Sequence, residues 1–284
     1  MDSFIYYVYL VCFLLTGLAI GSFINVVIYR LPMSVLPQYT PDGELGVITL
    51  SWPPSHCPQC NTMILKRDNI PVLGWVLLKG RCRFCHKPIP AIYPITEFIF
   101  GLWFVAVYLF VYPDSGILYT LSLILFFSLL YAISMIDIQH YIIPDRLNYL
   151  LLWSGLLLSV TEVNRISPWS AVIGVCAIWC ITYSVMYLYE AMKGQVGLGY
   201  GDVKLFAAIM PWIGVENIHY LILFSSMIGG AIFSFHALFK PRLTLYANGS
   251  HDEDELQKYI PLGPAICLSA LIIFLLQGYR HSII

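Results

Sequence analysis

The sequence predicts an all-α polytopic membrane protein of about eight transmembrane helices. A small cytoplasmic zinc-ribbon-like insertion is expected between helices one and two. Three observations carry this expectation. The 284 residues are 59% hydrophobic and only 11% charged, with a mean hydropathy of +0.76, whereas soluble domains carry about 25% charged residues. Apolar runs of spanning length recur along the chain. One long polar stretch interrupts them, and it carries two Cys-x-x-Cys pairs.

The runs cover roughly 4–29, 95–112, 116–137, 146–161, 168–190, 203–215, 218–239 and 261–279. The sixth is short and contains Pro211. The first has Asp2 before it and Arg30 after it. A cleaved signal peptide has the reverse charge order and a shorter apolar run. This segment is therefore read as a retained first helix with its N-terminus outside. Eight spans then return the C-terminus to the same outer side. Of the 15 Lys and Arg residues, only Arg165 and Arg280 fall outside, in keeping with the positive-inside rule. Losing the sixth span would place Lys240, Arg242 and Lys258 outside as well. The net charge of −1 gives no footprint for nucleic acid.

The insertion opens with an irregular Pro-rich stretch, Leu31 to Ser55. Cys57-Pro58-Gln59-Cys60 and Cys82-Arg83-Phe84-Cys85 follow, 21 residues apart. Each tight knuckle lets two sulfurs converge on one ion, and four thiolates make a soft tetrahedral site for zinc. Disulfides are the alternative, against which a reducing cytoplasm argues. A redox Cys-x-x-Cys is a second alternative, but no βαβ pattern accompanies it. His56 and His86 flank the knuckles and are read as bystanders, since four cysteines already suffice. Cys12, Cys176, Cys180 and Cys267 lie within spans and read as small core hydrophobes.

Two acids stand out at span ends. Asp202 follows a glycine-rich stretch, Gly197-Leu198-Gly199-Tyr200-Gly201. Those glycines permit positive φ and the close approach of another chain, such as an extended substrate. The blander reading is a turn whose acid caps the next helix. Asp137 closes the third run, where an acid meets an unfavourable helix dipole. Asp145 follows Pro144 and reads as a helix cap. In the topology above Asp137 and Asp202 reach one membrane edge, where ionisable groups are functional candidates. Facing carboxylates in a dry cleft share one proton. One then activates water as base while the other donates to a carbonyl, which is aspartic-protease chemistry. Two unrelated interface acids are the competing reading. The charge run His251-Asp252-Glu253-Asp254-Glu255 is a solvated face, and Ile260-Pro261-Leu262-Gly263-Pro264 is an irregular helix start.

Taken together in order, these residues resemble the type IV prepilin peptidase family of pilus and type II secretion systems, GxGD-type membrane aspartic proteases. The resemblance covers nearly the whole chain. It rests on Gly21-Ser22-Phe23-Ile24-Asn25-Val26-Val27-Ile28-Tyr29-Arg30-Leu31-Pro32, on the two Cys pairs bracketing Asn69-Ile70-Pro71-Val72-Leu73-Gly74-Trp75, and on Tyr93-Pro94-Ile95-Thr96-Glu97. Asp137 with Ile143-Pro144-Asp145, then Gly199-Tyr200-Gly201-Asp202, match the segments that hold the catalytic aspartates. Leu262 departs from a frequent Phe.

The resemblance implies a bifunctional enzyme of the bacterial inner membrane with periplasmic termini. It would cleave the basic leader of type IV prepilin or pseudopilin substrates at the cytoplasmic face, using Asp137 and Asp202. It would then methylate the new N-terminus with S-adenosylmethionine. The implied organisation is 1–29 as first transmembrane helix, 30–94 as zinc-binding, methyltransferase-associated domain, and 95–284 as transmembrane aspartic protease domain. Membrane lipid and the pilin precursor are the expected partners. Acids such as Asp42, Glu44 or Glu97 are candidates to attract the basic leader. Two other classes compete. A transporter would place acids at mid-membrane within an internal repeat. A zinc-ribbon scaffold would need neither aspartate.

Overall fold

The computed structural model describes residues 2–34, 49–195, 197–239 and 261–283. Asp42, Glu44, Lys240 and the segment Pro241 to Tyr259, including its charge run, lie outside the described residues. The described chain is helical. Among these residues the only β pairing is two isolated bridges, His56 with Met63 and Arg81 with Pro88.

The elements in order are α1 (Asp2–Met33), a 3₁₀ turn (Lys66–Asn69), α2 (Leu73–Leu77), α3 (Ile92–Phe110), α4 (Tyr112–His140), α5 (Asp145–Val160), α6 (Pro168–Lys193), α7 (Tyr200–Ile213), a second 3₁₀ turn (Val215–Asn217), α8 (Ile218–Phe239) and α9 (Gly263–Ile283). Five helical segments are long and apolar enough to cross a membrane: Phe4–Met33, Ile92–Phe110, Tyr112–His140, Pro168–Lys193 and Val215–Phe235. Helices α5 and α7 have only 16 and 14 residues, about 24 and 21 Å at 1.5 Å per residue, against a hydrocarbon core of about 30 Å. The apolar part of α9, Gly263–Gly278, is similarly short. In α4 the helix breaks at Gly116 (φ 74°, ψ 177°), the point where the sequence separates its second and third runs.

The chain divides into two compact units, Met1–Ile124 and Leu125–Ile284. In the first, α1 lies along α3 at close range. Gly17 and Gly21 of α1 form a small-xxx-small spacing that lets helix backbones approach. A Cβ at Gly17 would meet Phe100 O at 2.6 Å, and one at Gly21 would meet Glu97 Cα at 2.8 Å. The cysteine-bearing segment runs between these two helices in sequence. Trp75 anchors it by donating Nε1–H to Ile89 O at 3.1 Å.

In the second unit α7 is the centre. Every residue from Leu205 to Ile213 is buried, and α5, α6 and α9 all pack on it. Trp212 stacks on Phe126 at 4.6 Å between centroids and donates Nε1–H to Leu151 O at 2.8 Å. A helix enclosed by protein has no need to match the bilayer thickness.

The sequence reading of the isolated cysteines needs one correction. Cys267 is buried, but Cys12, Cys176 and Cys180 are exposed on their helices. A membrane helix is apolar all round, so hydrophobicity does not separate its core face from its lipid face.

Candidate active site and metal centre

The carboxylate site belongs to the second unit and is built from three helix ends. Asp137 sits one turn before the end of α4, which closes with Tyr141 in the left-handed region (φ 55°). The carboxylate is only 5% exposed. Asp202 lies in the first turn of α7 and is half-buried. Asp202 is near enough to act electrostatically on Asp137.

The third helix is α9. Its first residue, Gly263, donates its N–H to Asp137 Oδ2 at 2.9 Å. A Cβ at Gly263 would lie 2.6 Å from that oxygen, so only glycine admits this contact. The unfavourable dipole at the end of α4 is thus offset by the N-terminus of another helix. Cys267, one turn further along α9, is bonded to Ser134 and lies within electrostatic reach of both acids. Gly263, Cys267 and Ser134 are site neighbours that sequence reasoning missed. The Ile260–Pro264 block was the available signal, but nothing in a linear sequence says that this segment meets Asp137.

The glycines around Asp202 act differently from the expectation. None of Gly197, Gly199 and Gly201 has positive φ, and their missing side chains serve internal contacts. A Cβ would meet the Tyr189 ring from Gly197, Asp202 Oδ2 at 2.9 Å from Gly199 and Ile143 Cβ at 3.3 Å from Gly201. Gly199 is the N-cap of α7, and its N–H is bonded by the Asp202 carboxylate three residues on. That is half of a capping box, so the blander reading of Asp202 is also realised. The space at Gly199 and Gly201 is therefore taken by the protein itself rather than left for a passing chain.

Asp145 is the first residue of α5, with Pro144 at the N-cap. Its carboxylate is held by Lys204 Nζ at 2.7 and 2.9 Å. The expected cap is thus an inter-helix ion pair, which fastens the start of α5 to the first turns of α7. Lys204 also lies 4.9 Å from the Tyr200 ring centroid. Asp145 is committed to this pair.

The cysteine site belongs to the first unit. The Sγ atoms of Cys57, Cys60, Cys82 and Cys85 all lie within 4.8 Å of one another, and they are the metal-competent cluster among the described residues. Cys57 Sγ and Cys85 Sγ are 3.8 Å apart. Zinc–sulfur bonds of about 2.3 Å give a tetrahedral edge of about that length, and a disulfide of about 2.05 Å is excluded at this distance.

The two knuckles repeat one geometry. Cys57 N–H donates to Thr62 O at 3.0 Å and Cys82 N–H donates to Lys87 O at 2.9 Å. Each turn carries a left-handed residue four positions after its first cysteine, Asn61 and His86. His86 thus serves the turn, while His56 Nδ1 lies 3.0 Å from Pro54 O. Bonds from the Thr62 hydroxyl and N–H bring the Cys60 thiol down to about 6. N–H groups of Cys85 and Phe84 lower Cys82. Arg83 clamps Asp68 at 2.7 and 2.6 Å, locking the second knuckle to the 3₁₀ turn.

Glu97 corrects another expectation. It is 8% exposed, and its Oε2 accepts the Val72 N–H at 2.7 Å. A buried, internally bonded carboxylate is not a surface charge that draws in a basic leader.

The chain matches two family models: Bacterial Peptidase A24 N-terminal domain over residues 15–111 and Type IV leader peptidase family over residues 124–234. It is similar to a prepilin leader peptidase/N-methyltransferase of Aeromonas hydrophila, at 37% identity over 92% of this chain and 88% of that one. It is also similar to one of Pectobacterium carotovorum subsp. carotovorum, at 34% identity over 93% and 92%. A third, from Klebsiella pneumoniae, is 39% identical over 75% of this chain and 88% of its own. No solved structure matches the chain. On these matches, which reach from the first helix through the carboxylate site, the chain belongs to the type IV leader peptidase family of prepilin leader peptidase/N-methyltransferases.

Proposed function

We propose that this membrane enzyme cleaves the leader peptide of type IV prepilin-like proteins with Asp137 and Asp202, and then methylates the new N-terminus. The observation that carries the proteolytic half is a buried carboxylate within electrostatic reach of a second one, at the ends of three helices. One carboxylate takes a proton from water, whose oxygen attacks the scissile carbonyl carbon. The other donates a proton to the carbonyl oxygen, giving a neutral tetrahedral adduct. Collapse breaks the C–N bond, and the amine leaves with a proton from the dyad. The Gly263 N–H holds Asp137 in one orientation, and Lys204 ties Asp145 away from this chemistry. Neither the transporter nor the scaffold reading uses such a pair.

The topology we propose keeps eight spans, with α5, α7 and α9 as the short ones. Both termini are then periplasmic and both aspartates lie at the cytoplasmic face of the bacterial inner membrane. A pilin precursor joins a basic leader to an apolar helix, so its cleavage site lies at that interface. Substrate partners are prepilins or pseudopilins, together with membrane lipid. The proposed organisation remains 1–29, 30–94 and 95–284, with methyl transfer assigned to the middle segment.

Zinc fits the four cysteines, whose sulfur spacing suits a tetrahedral site. As a closed four-thiolate site it would be structural and hold the two knuckles together. S-adenosylmethionine, when bound, supplies an electrophilic methyl group on sulfur. The chain's part is to bind it and to present the deprotonated product amine, whose nitrogen would form the N–CH₃ bond as the donor's S–CH₃ bond breaks, leaving the neutral thioether S-adenosylhomocysteine and releasing one proton from the methylated amine.

The experiment is cleavage of a prepilin by purified protein in detergent, with product mass recorded with and without S-adenosylmethionine. The expected products are the cut pilin and the same species heavier by one methyl. An uncut precursor would overturn the proposal.

A further inference from the structure

A cavity of about 290 Å³ opens in the first unit between α1, the start of α3 and the cysteine-bearing segment. Its volume is at the lower end for small-molecule pockets. One wall is a single face of α1, with Ser22, Asn25, Val26, Tyr29 and Arg30 at helical spacing. Glu97 of α3 lines it too, and Trp75 and Tyr93 add aromatic surface. Cys57 and Cys82 also line the cavity, so the knuckles form part of its wall.

Two charges here are unusual. Arg30 is 9% exposed, yet among the described residues its guanidinium donates to carbonyl oxygens alone: Thr49 O at 3.0 Å, Leu50 O at 3.4 Å and Pro53 O at 2.6 Å. No carboxylate lies within ion-pair distance of it among the described residues. Glu97 is likewise buried and, among the described residues, takes only the Val72 N–H, on Oε2. A buried cation and a buried anion thus share one cavity without pairing, and isolated buried charge is expensive unless something compensates it. Val72 adds strain. It is a β-branched residue at φ 60°, ψ −51°, the centre of a γ-turn closed by Leu73 N–H to Pro71 O at 2.6 Å. Strained backbone of this kind persists where the surroundings over-determine it, and it clusters at ligand sites. Here the Glu97 carboxylate holds it.

We infer that this cavity binds S-adenosylmethionine, with Arg30 facing the ligand's carboxylate, Glu97 its cationic groups and Trp75 its base. The inference rests on the methyl-transfer half of the proposed function. The ligand's chemistry matches the lining: a zwitterionic amino-acid end, a sulfonium and a planar purine. An aromatic face serves both a purine and a cation. The Trp75 ring is already pinned through Ile89 O.

Equilibrium dialysis of labelled S-adenosylmethionine against the full-length protein in detergent tests this directly. Wild-type protein should bind saturably. Glu97→Gln, which keeps an acceptor for the Val72 N–H, and Arg30→Gln should each weaken binding at least about tenfold, with zinc content unchanged. Undiminished binding by both variants would overturn the cavity as the site. Wild-type protein that neither binds nor transfers the methyl group would instead overturn the methyl-transfer reading. Should a variant lose its zinc, ultraviolet crosslinking of the labelled donor to wild-type protein decides. Label on a peptide carrying Tyr29, Trp75 or Tyr93 supports the assignment, and label confined to residues 125–284 refutes it.

Discussion

The two units surround their buried charges differently. In Met1–Ile124, Arg30 and Glu97 each have backbone partners, carbonyl oxygens for the cation and an N–H for the anion. They sit beside a cavity and are not paired with each other. In Leu125–Ile284, Asp137 has a single N–H from Gly263, and the charge that acts on it is another acid. Opposite charges held apart by backbone dipoles make a place for a polar ligand. Like charges brought together make a pair that shares a proton. The first arrangement suits binding and the second suits proton transfer. On the proposed function, the chain would separate holding a methyl donor from cutting a peptide bond.

The strongest test of that separation is in the second unit. Asp137→Asn or Asp202→Asn should lower cleavage by several orders of magnitude, and the double variant should cost little more, because the pair acts as a unit. Methylation of an already cleaved pilin should survive. The wild-type pH–rate profile for cleavage should be bell-shaped, with two apparent values that belong to the pair. Cleavage by either single variant at near wild-type rate would dissolve the dyad.

The counterpart is Cys57→Ser in the first unit. It removes one of four clustered sulfurs, and metal measured on the purified protein should fall well below one per chain. Methyl transfer should fall with it and further than cleavage. Equal loss of both activities at normal protein levels would mean that the units are not functionally separable. Acid should also release the ion, since protons compete for the thiolates.

Gly263→Ala sharpens the description of the second unit without removing any ionisable group. The new Cβ would fall 2.6 Å from Asp137 Oδ2 and push the carboxylate aside. Displacements of about 1 Å cost up to about 100-fold in rate, so kcat should drop on that order while the protein still folds. Unchanged kcat would show that the Gly263 contact is not needed to orient Asp137.

Smaller effects are expected of the ion pairs. Asp145→Asn removes a pair with Lys204 whose carboxylate side chain is 50% exposed. Such pairs contribute about 0–1 kcal/mol, so cleavage should fall by less than about tenfold. Loss as deep as that of Asp137→Asn would move the first catalytic acid to Asp145. In the first unit, the Arg83 guanidinium holds the Asp68 carboxyl below the usual carboxylate range. A lowered folded-state value gives stability above the unfolded value of about 4, and that stability is lost as pH falls through the folded value. Asp68→Asn should remove this part of the acid sensitivity, read as metal retention against pH.

Composition and spacing were enough to determine that the chain is helical and apolar, where its long helices run, and that four cysteines form two knuckles. Those are local properties. Hydropathy needs only neighbours in sequence, and a Cys-x-x-Cys turn brings its own sulfurs together. The two acids were also legible as candidates, because a carboxylate at the end of an apolar run is conspicuous wherever the fold puts it. What meets those acids was decided by tertiary structure alone. The Gly263 N–H reaches Asp137 across 126 residues, Cys267 joins them from a helix that reads as plain membrane span, and Lys204 takes Asp145 across 59 residues. The glycines before Asp202 looked like room for a substrate and proved to be room for Ile143 and for the aspartate itself. Glu97 looked like a surface charge and lies buried against Val72 N–H. Apart from the local contact of Gly199 with Asp202, the deciding contacts are non-local. A linear pattern records which groups are costly to bury, and only the folded chain supplies the partners that offset the cost.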